Sequence, residues 1–157
     1  MKLYMKQRWF SWGDVFHIYN PDGSERFAVE GEIFTFGRKL HLYDMAGREL
    51  AFVRQELLTF LPRYTILKGD TEIAEVVKEF TFFRHEYTVE GLGWTVSGDF
   101  LDHDYEITGG GRRVASVSKE WFTLGDAYEI DIADGVDEIA ALAVVLVIDA
   151  CLDAAKN

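Results

Sequence analysis

The densest grouping of side chains able to bind a metal or move a proton is Asp99-x-x-Asp102-His103-Asp104. Carboxylate oxygens suit hard divalent cations and imidazole suits borderline ones, so this loop is the first candidate for a metal-dependent reaction. A solvated turn between two strands explains the same residues, and no metal ligand is assigned there. Asp131-x-x-Asp134-Gly135-x-Asp137 has the composition of a calcium loop. Its glycine is out of phase and no glutamate stands at the twelfth position, which excludes an EF-hand. His85-Glu86 opens a zinc-protease string that lacks its second histidine. Thr108-Gly109-Gly110-Gly111-Arg112 is glycine-rich without the Gly-Lys-Ser/Thr ending of a phosphate loop, and reads as a hairpin turn. No Gly-x-Ser-x-Gly elbow occurs.

The remaining reactive residue types are scattered. His17, His41, His85 and His103 fall on separate strands or turns, and His17 shares the parity of Val15 and Tyr19, which suits a packed or hydrogen-bonded ring. Cys151 is the single cysteine, so no intramolecular disulfide can form, and its apolar neighbours indicate a buried, inert thiol. The Lys78-Glu79 and Lys119-Glu120 pairs recur with a repeat and point to opposite faces of a strand, a structural pattern. Trp9-Phe10-Ser11-Trp12 suits either a rim-binding patch or closure over a core. No catalytic, cofactor-binding or metal-binding residue is therefore nominated, no cofactor is expected, and the ligand-binding residues are left unassigned.

These residues must be held by something, and the chain is organised around Ile139 to Ile148, ten residues without a polar side chain. Asp134-Gly135 gives a turn before it, and Asp137 and Glu138 suit a helix N-terminus. The spacing predicts a helix over 136–154, apolar all round its middle and hence buried. Ten residues span roughly 15 Å as helix against about 30 Å of hydrocarbon, so a soluble core helix is expected and a membrane span is not.

Upstream, turn signals recur mostly about 23 residues apart, at Asn20-Pro21-Asp22-Gly23, Asp44 to Gly47, Lys68 to Asp70, Glu90 to Gly93, Thr108 to Gly111 and Asp134-Gly135. The segments between them resemble one another. Leu50 to Glu56 with Tyr64-Thr65-Ile66, Ile73 to Glu79 with Tyr87-Thr88-Val89, and Val114 to Glu120 with Tyr128-Glu129-Ile130 align without gaps. Repeated β-hairpins follow. Residues two apart share a face, so Ala51 and Val53, Ala74 and Val76, and Ala115 and Val117 face inward with the tyrosines, while Thr65, Thr88, Glu106 and Glu129 face water. About twelve strands result: 3–10, 14–19, 26–30, 39–43, 49–56, 63–67, 72–79, 86–90, 94–98, 104–108, 112–120 and 126–132. Twelve strands enclose more space than their own side chains fill, and small inner alanines leave more, which the helix would occupy. The expected fold is one domain over 1–157, mainly β with one C-terminal helix: a closed antiparallel barrel threaded by that buried helix.

The motifs Tyr4-Met5-Lys6-Gln7-Arg8, Phe16-x-Ile18-Tyr19-x-x-x-Gly23, Phe27-x-Val29-x-Gly31 and Leu40-x-Leu42-x-Asp44-x-x-Gly47-x-Glu49-Leu50 resemble the LURP-one-related family. That resemblance covers essentially the whole chain. It implies the twelve-stranded barrel around a hydrophobic C-terminal helix that the family shares with Tubby C-terminal domains and phospholipid scramblases. It also implies, as an alternative function, peripheral phospholipid or phosphoinositide binding or a scramblase-related role. No basic cluster equivalent to the Tubby head-group site can be placed residue by residue.

Charge narrows the partner. Acidic residues number 27 against 16 basic ones, a net charge of −11, and no run of Lys and Arg exceeds two. That field opposes nucleic acid and anionic membrane surfaces alike. No signal peptide is expected, since Lys2, Lys6 and Arg8 interrupt the first apolar region, and the cytoplasm is the default compartment. The leading expectation is a non-enzymatic binding or scaffold protein whose partner is a protein or a lipid head group.

Overall fold

The structure, a computed structural model, describes residues 1–6, 15–32, 36–80, 85–122 and 125–155. Alternation of inward and outward residues gives twelve strands that turn most of their buried apolar side chains to one face. They are β1 (Lys2–Lys6), β2 (Val15–Tyr19), β3 (Glu25–Gly31), β4 (Lys39–Asp44), β5 (Glu49–Gln55) and β6 (Arg63–Lys68), then β7 (Thr71–Glu79), β8 (Glu86–Glu90), β9 (Trp94–Asp99), β10 (Asp104–Gly109), β11 (Arg112–Phe122) and β12 (Gly125–Ile132). Each strand pairs antiparallel with its sequence neighbours, and β1 pairs with β12 to close the barrel. At that seam Lys2 stands opposite Asp131 and Lys6 opposite Ala127. The expected β1 extended through residue 10 and β2 began at residue 14; residues 7–14 lie outside the described set.

The helix α1 (Glu138–Ala155) threads the barrel, starting two residues later than its composition suggests. Asp137 sets that start. Its Oδ1 accepts the backbone N–H groups of Ile139 and Ala140, each at 3.1 Å, which satisfies donors that the first turn leaves unpaired. Lys68 also bonds Asp137. Burial works to raise the Asp137 pKa, but Lys68 and the two N–H groups outweigh it and hold it below the usual carboxylate value.

Every residue from Ala140 to Ile148 is buried, including Leu142 and Val145 on the face that carries Glu138 and Asp149 at its ends. The helix packs most closely on β5, β6 and β11. Two of those strands present the small inward residues Ala51 and Ala115, which let a helix backbone approach. Near their starts the even-numbered strands turn Phe16, Leu40, Tyr64, Tyr87, Tyr105 and Tyr128 inward, followed two residues on by Ile18, Leu42, Ile66, Val89, Ile107 and Ile130.

The two rims differ. One is made of short turns, 20–24, 45–48, 69–70, 91–93 and 110–111, and of the lead-in to α1. Gly91 shows why glycine is required there: at φ +96° any Cβ would fall 2.8 Å from the Ile73 carbonyl oxygen. The opposite rim holds the C-terminal end of α1 and, among the described residues, the connections 56–62 and 100–103 with the flanking residues 36–38 and 80.

Candidate functional site

The Asp99 to Asp104 segment joins β9 to β10 at this second rim, and its side chains diverge. Phe100 turns inward between Tyr87 and Tyr105, with ring centroids 5.2 Å from each. His103, held at φ +52°, is buried and stacks on Tyr128 at 4.3 Å. Asp99 Oδ1 accepts the Asp102 backbone N–H at 3.2 Å, closing the turn. The loop is thus pinned by two inward rings, while Asp99, Leu101, Asp102 and Asp104 stand exposed, as a solvated turn requires. Among the described residues no group of three or more His, Cys, Asp or Glu side chains is placed to hold a metal ion.

The inward tyrosines meet the polar end of α1. Burial pushes the hydroxyls of Tyr64, Tyr87 and Tyr105 well above their ordinary value. Burial likewise pushes the Cys151 thiol up to about 12, against the lowering effect of a hydrogen bond with Tyr87. Arg38 closes the helix, its Nη1 donating to the Ala150 carbonyl at 2.9 Å and to Asp153 Oδ2 at 3.0 Å. A cation at a helix C-terminus meets the negative end of the dipole.

On the outer wall one sequence expectation fails. Thr65 was expected to face water, and it points outward, yet it is fully buried. Its hydroxyl donates to Glu56 Oε1 at 2.6 Å, beneath a charged lattice that covers it. In that lattice Arg54 pairs with Glu56 and Glu72, and Arg63 with Glu75 and Glu90. The Thr65 hydrogen bond, followed by Arg54, holds the Glu56 carboxyl below its ordinary pKa despite partial burial. His41, also outward, lies between Glu49 (Nδ1 to Oε2 2.9 Å) and Glu32 (Nε2 to Oε1 3.1 Å) and stacks on Phe52 and Tyr43. His17 is half-buried beside Tyr19, with its Nε2 3.7 Å from Glu25 Oε2, in keeping with a packed ring. His85 is exposed.

The feature that sequence reasoning missed is on the second rim. Phe36 is 90% exposed, Leu57 53%, Leu58 105% and Phe60 96%, with Phe80 and Leu101 exposed on the same rim. A signal for it existed: Leu57-Leu58-Thr59-Phe60-Leu61-Pro62 is an apolar run where a strand connection is ordinarily polar. Trp9-Phe10-Ser11-Trp12, the aromatic group singled out from sequence, lies outside the described residues. No helix among the described residues is long and apolar enough to cross a membrane.

With this geometry in place, comparison with known proteins gives three likenesses. Residues 1–149 match the LURP-one-related family. Over 152 residues the chain is 38% identical to the uncharacterized protein YxjI of Bacillus subtilis strain 168, a match covering 97% of this chain and 94% of that one. A protein of Arabidopsis thaliana, solved by X-ray crystallography, superposes with a TM-score of 0.65 at 16% identity over 96% of this chain and 90% of that one, a likeness of fold. A twelve-stranded barrel threaded by its C-terminal helix, matched over nearly its whole length, belongs to the LURP-one-related family.

Proposed function

We propose that this protein is a non-enzymatic, cytoplasmic binding or scaffold protein, and that the rim carrying Phe36, Leu57, Leu58 and Phe60 is its binding face. The observation behind this reading is the exposure of those four side chains on neighbouring loops. Contiguous exposed apolar surface on a folded protein marks an interaction site, whereas single exposed residues need no explanation. The single thiol is turned away from solvent: Cys151 sits in the core with its pKa raised to about 12, which leaves almost no thiolate at neutral pH. The helix side chains fill the barrel where a lipocalin-like ligand would otherwise lie.

Proximity labelling in intact cells tests the reading. Neighbours labelled by the wild-type fusion are expected to be lost with Phe36→Ser/Phe60→Ser and kept with Met45→Ser on the turn rim. An unchanged set of neighbours would remove the rim from consideration, and fractionation of the same cells checks the compartment.

A second reading, a peripheral phospholipid- or phosphoinositide-binding protein of scramblase-related type, draws support from one specific observation. Phe36 precedes Arg38 and Lys39 by two and three residues, and Phe80 follows Lys78 by two, on a chain of net charge −11.

A further inference from the structure

We infer that the rim carrying Phe36, Leu57, Leu58 and Phe60 is the contact face of a symmetric homodimer, in which two barrels meet mouth to mouth about a two-fold axis beside β7. The inference rests on the rim being the binding face and names what that face meets, a second copy of this chain.

The apolar side chains form one continuous sector. Leu57 packs on the segment that carries Phe36, since a Cβ at Gly37 would fall 2.9 Å from Leu57 Cδ2. The backbone N–H of Arg38 donates to Gln55 Oε1 at 3.0 Å and that of Gln55 to the Arg38 carbonyl at 2.8 Å, which ties residues 36–38 to the end of β5. The Lys78 N–H donates to the Pro62 carbonyl at 3.0 Å, which fixes the 56–62 connection beside β7 and Phe80. Leu101 follows on the 100–103 connection, farther round the same mouth. Segments already tied down lose little freedom on association.

The sector has the size of half a stable interface. Phe36 and Phe60 are almost wholly exposed and Phe80 is 66% exposed. At roughly 150–250 Å² for a whole aromatic side chain, the three offer about 500 Å², and Leu57, Leu58 and Leu101 bring the sector near the ~800 Å² that each partner gives to a standard interface.

Charge points to a second copy, because a two-fold contact needs a surface that complements itself. Lys39 stands directly opposite Arg54 across β4 and β5, and Asp104 directly opposite Asp99 across β10 and β9. Like charges so placed repel. β4 and β10 lie six strands apart in the ring of twelve, on opposite sides of the mouth. Turning a second copy over about an axis through β7 sets its β10 against β4 and its β9 against β5. Lys39 then faces the partner's Asp104, and Arg54 the partner's Asp99. Symmetry makes each contact twice, and the two repelling pairs relieve each other. Arg54 is already engaged by Glu56 and Glu72, so the contact falls mainly to Lys39, which makes no ion pair among the described residues. Asp99 and Asp104 make none there either. A foreign partner would require no such match between opposite sides of one mouth.

The net charge of −11 does not oppose the contact. Segments 36–39, 54–63, 78–80, 85–86 and 99–104 hold five Lys and Arg against six Asp and Glu. Two copies meeting here bring nearly neutral surfaces together.

The test is sedimentation equilibrium of the purified full chain over a range of concentrations. Wild type is expected to pass from one chain mass to two as concentration rises. Leu58→Asn/Phe60→Ser is expected to weaken dimerisation at least about tenfold, the scale of losing one or two buried apolar side chains. Met45→Ser on the turn rim is expected to change nothing. Lys39→Glu and Asp104→Lys are each expected to weaken it as well, and an equimolar mixture of the two to recover it, since both contacts of the mixed dimer are then of opposite sign. Misfolding cannot produce recovery on mixing, and thermal melting of each variant confirms folding. A monomer at every concentration, a dimer indifferent to the rim substitutions, or no recovery on mixing would each overturn the inference. If the chain stays monomeric while Phe36→Ser/Phe60→Ser still alters labelled neighbours in cells, the rim binds another protein and only self-association falls. If both fail, the binding face is wrong as well.

Discussion

His41 is held on both ring nitrogens by carboxylates, Glu49 and Glu32, with Glu30 opposite it on β3 and Phe52 and Tyr43 against its faces. Only the imidazolium donates from both nitrogens at once. Burial, the largest single influence, lowers its pKa, but Glu49 and Glu32 together raise it above 6.5. A raised folded value means that the stabilisation is full below the unfolded value of about 6.5 and is lost as pH rises through the folded one. His41→Gln is expected to remove that part of the decline in melting temperature between mildly acid and mildly alkaline pH. A variant with the wild-type pH profile would show the pairing to be inert. Asp137 has the opposite sign. Its depressed value makes the cap stabilising at neutral pH and lost as pH falls through the folded pKa. Asp137→Ala is expected to cost about 1 kcal/mol, read by denaturant melts at neutral pH. At Leu58 the change runs the other way, and Leu58→Asn is expected to leave stability unchanged or higher by a few tenths to about 1 kcal/mol, because the strained leucine is exposed and contributes nothing to the core.

Among the elements, the helix and the inner alanines depend on each other. Ala51 and Ala115 are buried on strands that α1 approaches closely. Ala51→Leu is expected to destabilise by about 1–3 kcal/mol through overpacking. Ser116, outward and opposite Asp131 on the neighbouring strand, makes a tolerant control. Removing 136–157 is expected to abolish cooperative melting, because each buried Leu, Ile or Val contributes about 1.5–3 kcal/mol against a total of about 5–15. Retained melting near the full-length temperature would sink the central-helix architecture. Most of this was legible in advance. Period-two alternation and repeated Ala-x-Val and Tyr-x-Ile/Val faces are local and survive in the sequence, so strand positions and inward faces are recovered closely. Thr65 was not legible. Its burial comes from Glu56, Arg54 and Glu75, on a loop end and the two neighbouring strands that only the register brings over it, together with Arg63 on its own strand.

For the whole molecule the same distinction separates fold from site. The barrel follows from patterns repeated along the chain, and the ungapped copies fix the hairpins. The rim does not, because its meaning lies in Phe36 and Phe60, 24 residues apart in sequence, reaching the same end of the barrel unburied. The apolar run 57–61 was visible, yet exposure is a tertiary property and an apolar run by itself reads as core. In the Asp99 to Asp104 segment the acids stand exposed on a turn, as their composition suggests, whereas the inward anchoring by Phe100 and His103 is a tertiary property that the sequence did not show.

The closing seam has a consequence for synthesis. β1 meets β2 early but cannot find its second partner until β12 has been made, since Leu3 pairs with Ile130 and the Met1 amino group donates to the Ile132 carbonyl at 2.7 Å. The helix that fills the interior is translated later still. Eleven strands therefore leave the ribosome as an open, curling sheet whose apolar concave face has nothing to cover it, and closure and filling come together at the end. Slow release of the C-terminal segment, by rare codons or a stalled ribosome, should leave this chain dependent on chaperones in a way that its finished, edgeless barrel does not betray.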